Sequence, residues 1–383
     1  MSETIPVAFC TDGIFPLTVG GMQRHSRLLI EELGSDPTLR LDVIHPHPTT
    51  LFAHLASVYE HRLPGIDLRR TYLLECHRYS RRILDLLRQW PAHVVYSQGL
   101  SVWAGIESLP NPIAVNPHGL ESWQGLTLRD WLVGIPFRAI FRRIFRRADR
   151  VISLGGRLTT ILRHELPEAR IRVIPNAVNP PPFRPRHFHT PLRFLFVGRF
   201  APNKGIHLLL RVAEELNTAG YADKFTFNLV GLGPLHEHFI AANRLPNVNF
   251  LGAVSDKELP GVYAANDAFV LPTLFEGMPT VVLEAMSHGL PVIVSDTGAT
   301  AELVDDLNGY LIPRNDVAAL TSALLDFHAL PTTAKERLSV GSYEKVNRRF
   351  TWREVASMHR RLFVELAQSA PQGRTGEVES TVA

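Results

Sequence analysis

The chain has 383 residues, 45% of them hydrophobic, with 40 Lys+Arg against 37 Asp+Glu. That length predicts about two domains, and the composition excludes wholesale disorder and collagen-like repeats. The net charge of +3 hides an asymmetry: residues 1–185 hold 22 Lys+Arg, all arginine, against 16 Asp+Glu, and the remainder is net −3.

The elements alternate in chain order. Ile5 to Cys10 reads as a strand, Met22 to Leu33 as a helix and Leu41 to His45 as a second strand. Arg69 to Trp90 reads as a long basic helix. Val94 to Ser97, Ile113 to Asn116, Val151 to Leu154 and Ile171 to Pro175 read as buried strands. Short apolar runs separated by helices signal parallel βαβ units. The proline-rich stretch Asn179 to Pro185 breaks the pattern and reads as a linker, because proline removes donors and stiffens the chain. Beyond it come strands at Leu192 to Val197, Phe225 to Val230, Val248 to Leu251, Ala268 to Leu271 and Val292 to Ser295. Helices are expected at Gly205 to Leu216, Leu235 to Leu245 and Thr351 to Leu366. The expected fold is α/β, with two facing doubly wound, Rossmann-like domains and a ligand cleft between them.

Other features bound the setting. Two cysteines, Cys10 and Cys76, are too few for a disulfide framework and suit a reducing compartment. Met-Ser-Glu-Thr-Ile-Pro lacks the basic and apolar regions of a signal peptide. No run of about 18 apolar residues predicts a membrane span. A cytoplasmic location is expected.

Four loops after predicted strands carry candidate chemistry. Gly20 and Gly21 open the first helix, where backbone amides and the helix dipole suit an anion; a simple tight turn is the other reading. Arg199 and Lys204 flank the turn Gly198 to Gly205 and suit a diphosphate, although surface cations are commonly only solvated. Gly231 and Gly233 form a Gly-x-Gly without the third glycine of a dinucleotide fingerprint, which disfavours an oxidoreductase. The fourth loop runs Glu276-Gly277-Met278-Pro279-Thr280 into a helix that carries Glu284. Pro279 suits the first helical position, and the amides of Gly277, Met278 and Thr280 are expected to face a ligand. Glu284 sits among Val281, Val282, Leu283, Ala285 and Met286, so its carboxylate needs a partner.

These residues resemble the group 1 family of retaining, nucleotide-sugar-dependent glycosyltransferases of the GT-B fold. The marks are Gly20-Gly21, His118-Gly119, Ile174-Pro175-Asn176, Arg199 with Lys204, Glu276-x7-Glu284 and Asn308-Gly309-Tyr310-Leu311, strongest from about 192 to 313. The resemblance implies that Arg199 and Lys204 neutralise the leaving diphosphate. It implies that Glu276 holds donor-sugar hydroxyls with the amides of Gly277, Met278 and Thr280, and that Glu284 holds the ribose. Gly21 then admits the diphosphate, His118 reaches the sugar near the reacting centre, and the base lies against backbone near Gly252, Val254 and Ser255. It also implies an acceptor-side domain over 1–180, a donor domain over 190–350 and a C-terminal helix over 351–369 packing back on the first; the small, polar residues beyond it read as a frayed tail over 370–383. No cofactor is expected beyond the UDP- or GDP-linked sugar substrate. No Asp-x-Asp triplet offers metal ligands, and no metal is expected. A glycan or lipid-linked acceptor in cell-envelope polysaccharide or lipopolysaccharide synthesis is implied. An epimerase or phosphorylase on the same fold, or a non-catalytic binding protein, are the alternatives.

Residues 128–150 form a basic amphipathic pattern. Phe137, Ile140, Phe141, Ile144 and Phe145 recur at helical spacing, with arginines between them. Such a helix either packs its stripe in the core or lies on an anionic membrane as a peripheral contact. No aromatic-basic module for nucleic acid is evident.

Overall fold

The computed structural model describes residues 4–66, 71–242 and 244–369. Seven strands form the first sheet: β1 (Ile5–Cys10), β2 (Leu39–His45), β3 (Val58–Arg62), β4 (Val94–Gln98), β5 (Ile113–Asn116), β6 (Arg150–Ser153) and β7 (Ile171–Val173). Their order is β3-β2-β1-β4-β5-β6-β7. Six more form the second: β8 (Leu192–Val197), β9 (Phe225–Val230), β10 (Val248–Gly252), β11 (Ala268–Leu271), β12 (Val292–Ser295) and β13 (Gly309–Ile312). Their order is β10-β9-β8-β11-β12-β13. The pairings are parallel, and crossover connections, most of them helical, join successive strands, although none of the helices lies between β2 and β3. Central strands such as β4, β11 and β12 are buried along their whole length, which is why they read as continuous apolar runs.

The described residues divide into two compact units. One comprises Met1–Asn116, Arg143–Val151 and Ser357–Ala383; the other comprises Pro117–Arg142 and Ile152–Ala356. Within the first, the helix Trp352–Ser369 is anchored beyond Ser357: Tyr96 Oη and His359 Nε2 lie 2.9 Å apart, and Arg150 pairs with Glu365. No helix among the described residues is long and apolar enough to cross a membrane.

Several expected elements differ in extent. The long basic helix is Tyr72–Leu87; Arg69 and Arg70, like the tail over 370–383, lie outside the described residues. The expected helix at Leu235 to Leu245 is His236–Ala242. Pro279 is the N-cap, one residue before the first helical position, because the helix begins at Thr280. Strands β3 and β13, each at a sheet edge, are absent from the expected strands. β3 reads Val-Tyr-Glu-His-Arg and is only partly covered.

The amphipathic pattern at 128–150 splits at Gly134 into two helices, Leu128–Val133 and Ile135–Arg147. Phe141, Ile144 and Phe145 are buried core. Arg142 makes two 2.8 Å bonds to Glu165, Arg143 pairs with Glu107, and Arg147 donates to Asp149 and to the Leu109 and Asn111 carbonyls.

One buried carboxylate ties down the β2–β3 edge. Asp42 on β2 is fully buried and accepts from Arg40 Nε at 3.0 Å, His61 Nε2 at 2.8 Å and His93 Nε2 at 3.0 Å. An ionised carboxylate only accepts, so both imidazoles donate from Nε2. Burial alone raises its pKa, but bonds from His61, His93 and Arg40 outweigh burial and hold it well below the usual carboxylate range. In the unfolded chain the same group takes up a proton near pH 4. Its stabilisation is therefore complete above that pH and is lost as the medium becomes more acid. Asp42→Asn is expected to lower the thermal midpoint at pH 7 and to flatten its fall between pH 5 and pH 3. Parallel curves for the two proteins across that range would rule this out.

Candidate active site

In a doubly wound sheet, ligands sit at the carboxyl ends of strands where the strand order reverses. In the second sheet that point lies between β8 and β11, adjacent strands whose connections run to opposite sides. The loop after β8 carries Arg199 and Lys204, and the loop after β11 carries Glu276. The structure joins them: Lys204 Nζ lies 2.5 Å from Glu276 Oε1. Thr273 Oγ1 donates toward the same oxygen at 3.2 Å and to the Asn203 carbonyl at 2.9 Å. Gly205, directly after Lys204, has φ of +69°, and a Cβ there would lie 1.8 Å from the Pro272 carbonyl oxygen. Only glycine lets the two loops approach this closely.

Backbone packing fixes the Glu276 loop. A Cβ on Gly277 would meet the His118 carbonyl oxygen at 2.3 Å, and one on Gly298 would meet the Glu276 carbonyl oxygen at 2.2 Å. His118 itself has φ of +60°, a conformation that costs a non-glycine residue energy and clusters at functional sites. Gln124 bridges the same loops: its Nε2 donates to the Glu276 carbonyl at 3.2 Å and its Oε1 accepts from Gly298 N–H at 3.3 Å. Arg314 donates to the Gln124 carbonyl at 3.0 Å. Met278, expected to offer its amide to a ligand, is buried, and its carbonyl accepts from Asn176 Nδ2 at 2.8 Å.

Glu284 has the partner its apolar surroundings demand. Tyr263 Oη donates to its Oε2 at 2.9 Å. Glu284 as a whole is half-buried. Arg199 is exposed and pairs with no group among the described residues. Gly231 and Gly233 serve loop packing: Cβ atoms there would lie 1.9 Å from the Gly198 carbonyl oxygen and 2.4 Å from that of Phe200. The Gly252 carbonyl accepts from Gly231 N–H at 2.8 Å, and Val254 is half-buried in the loop beyond. Gly20 and Gly21 belong to the other unit, where Gly20 is the N-cap of the helix Gly21–Leu33 and Gly21 is exposed with open space around it.

Glu121 is a functional candidate that sequence reasoning left in the background. It opens onto a cavity of about 570 Å³ whose lining includes Val133, Phe137, Phe141, Asn203 and Phe275. The surrounding protein raises its pKa, and the nearby Glu276 carboxylate pushes the same way; a backbone hydrogen bond and Lys204 oppose them. No motif marks Glu121, Gln124, Thr273, Tyr263 or Arg314. Their roles arise only when segments as much as 190 residues apart meet.

Residues 19–181 match the family described as Glycosyltransferase Family 4, and residues 191–329 match that described as Glycosyl transferases group 1. An uncharacterized glycosyltransferase of Methanocaldococcus jannaschii is 25% identical over 91% of this chain and 95% of its own length. The putative colanic acid biosynthesis glycosyltransferase WcaL of Escherichia coli is 29% identical over 57% of this chain, which spans only 58% of that relative. Among solved structures, a sucrose-phosphate synthase of Thermosynechococcus elongatus superposes with a TM-score of 0.77 at 21% identity, over 94% of this chain and 99% of that one. Anabaena HepE in complex with UDP and glucose superposes with a TM-score of 0.67 at 17% identity, over 95% and 100%. The two family matches adjoin across most of the sequence, one on each side of the proline-rich segment, and the chain belongs to the group 1 glycosyltransferases of the GT-B fold.

Proposed function

We propose that the chain transfers a hexose from a UDP- or GDP-linked sugar to a hydroxyl of a glycan or lipid-linked acceptor, with retention and without a metal ion, in cell-envelope polysaccharide synthesis. The observation that carries this reading is the Lys204–Glu276 pair just before the helix Thr280–Ser287, with Glu284 one turn inside it. The names of the relatives, which include colanic acid and amylovoran glycosyltransferases and a galactosyltransferase acting on a diphosphoundecaprenol-linked sugar, support the acceptor class.

The arriving diphosphate draws Lys204 away from Glu276, and the unpaired Arg199 closes on it. Glu276, released from the lysine, accepts hydrogen bonds from donor-sugar hydroxyls. Glu284, oriented by Tyr263, accepts from the ribose hydroxyls. The anomeric carbon–oxygen bond to the diphosphate breaks, and negative charge on the departing oxygen meets Arg199, Lys204 and the start of the helix. Such fixed charges need no reorganisation at the moment of reaction. The acceptor oxygen bonds to the anomeric carbon from the same face, and its proton passes to the departing phosphate oxygen. Glu276→Gln is expected to lower kcat/KM for donor turnover by about 100-fold or more, and Arg199→Ala by at least about tenfold. Unchanged turnover in both variants sinks the assignment.

We also place any membrane contact on apolar rather than basic side chains, because carboxylates and carbonyls of the chain occupy Arg142, Arg143 and Arg147. Leu128, Trp131, Leu132, Val133 and Ile135 are exposed by 42–77% on adjacent turns beside the Glu121 cavity. Such patches mark interaction surfaces. In liposome flotation the native chain is expected to rise with the vesicles and the L132E/V133E double variant to stay in the dense fraction. Equal behaviour of the two proteins argues against this surface.

A further inference from the structure

The proline-rich segment is not a bare tether. Arg186, directly after it, reaches the carboxyl ends of two helices at once. Its Nη1 donates to the His288 carbonyl at 2.8 Å, at the C-cap of the helix Thr280–Ser287. Its Nη2 donates to the Tyr263 and Ala264 carbonyls at 3.0 and 3.2 Å, the last residues of the helix Leu259–Ala264, and to the carbonyl of Asn266. Last-turn carbonyls lack intrahelical partners and carry the negative end of the dipole, so one guanidinium satisfies both helices. Three residues on, His189 N–H and Nδ1 lie 3.1 and 2.9 Å from Asp267 Oδ1, which fixes the segment where β11 begins.

The two helices that Arg186 holds carry the two partners of the nucleotide end of the site. Tyr263, on one, donates to Glu284, on the other, at 2.9 Å. The His288 ring stacks on the Tyr263 ring with centroids 5.1 Å apart and planes at 23°, and its Nδ1 lies 2.9 Å from the Glu284 carbonyl. Leu259–Ala264 is only six residues long, too short to hold its place by its own hydrogen bonds. Its C-terminal carbonyls are bound to the same guanidinium as the end of the Glu284 helix, so the distance between the two helices is set there.

We infer that Arg186 is a positioning residue for nucleotide binding: by joining the ends of these helices it holds Tyr263 in register with Glu284 and so aims the Glu284 carboxylate. This rests on the assignment of Glu284 to the ribose. A charge that only stabilised the fold would move the melting temperature; a positioning residue also couples to Tyr263 in ligand affinity.

The test is a double-substitution cycle on the full chain, read by calorimetric titration with UDP, GDP and ADP and by thermal unfolding. Arg186→Met keeps the apolar stem and removes the donors. Arg186→Lys keeps the charge and reaches fewer carbonyls. With whichever nucleotide the native chain binds, Arg186→Met and Tyr263→Phe are each expected to weaken affinity about tenfold. Their combination is expected to be no weaker than the poorer single variant, with Arg186→Lys between native and Met. Independent effects that multiply, or native affinity in Arg186→Met when Tyr263→Phe is impaired, overturn the coupling while leaving the ribose assignment intact. If Arg186→Met does not fold, native affinity in a folded Arg186→Lys that has lost several degrees of stability overturns it equally. A native chain that binds none of the three nucleotides overturns the ribose assignment, and this role with it.

Discussion

Everything distinctive in the second unit converges on one ion pair at a topological reversal. β8 and β11 are neighbours in space but are separated by two strands in sequence, so the loops that follow them diverge from a shared point. Lys204 comes from one loop and Glu276 from the other, and they meet at 2.5 Å with little exposure on the carboxylate side. A partly buried pair of this kind contributes little net stability, because desolvation offsets attraction. Its consequence is geometric: it ties the loop after β8 to the loop after β11 at the point where the strand order reverses.

The collar around this pair is made of backbone, not side chains. Gly205 against Pro272, Gly277 against His118, and Gly298 against Glu276 all bring carbonyl oxygens where a side chain would otherwise stand. A side chain at any of these three positions would overlap backbone, so the loops approach this closely only with glycine there. Gln124 and Arg314 satisfy carbonyls that this packing would strand, as buried polar groups require. The residues free to vary around such a site are those on its rim, such as Glu121 and the aromatic lining of the adjoining cavity.

Much of the fold was legible because parallel strands must be apolar on both faces. The runs Leu192–Val197, Ala268–Leu271 and Val292–Ser295 announce themselves for that reason. β3 does not, since its Val-Tyr-Glu-His-Arg is only partly covered and carries no such run. The carboxylates were legible for a related reason: Glu284 stands in an apolar helix and had to have a partner, although nothing in the sequence named Tyr263. Gln124, Arg314 and Arg186 were not legible, because an amide or guanidinium that caps distant carbonyls has no local signature. The basic stripe at 128–150 was legible as amphipathic, but the pairing of Arg142 with Glu165 and of Arg143 with Glu107 was not, because both partners lie far away in the sequence.

Glu121 brings a second carboxyl group within electrostatic reach of the Lys204–Glu276 pair. The surrounding protein and the Glu276 carboxylate raise its pKa, and Lys204 opposes them. The cavity that Glu121 lines also reaches Asn203, the residue before Lys204, and Phe275, the residue before Glu276. Both loops that supply the ion pair therefore border one opening, and a side-chain change on its rim reaches the pair from either loop without altering the pair itself.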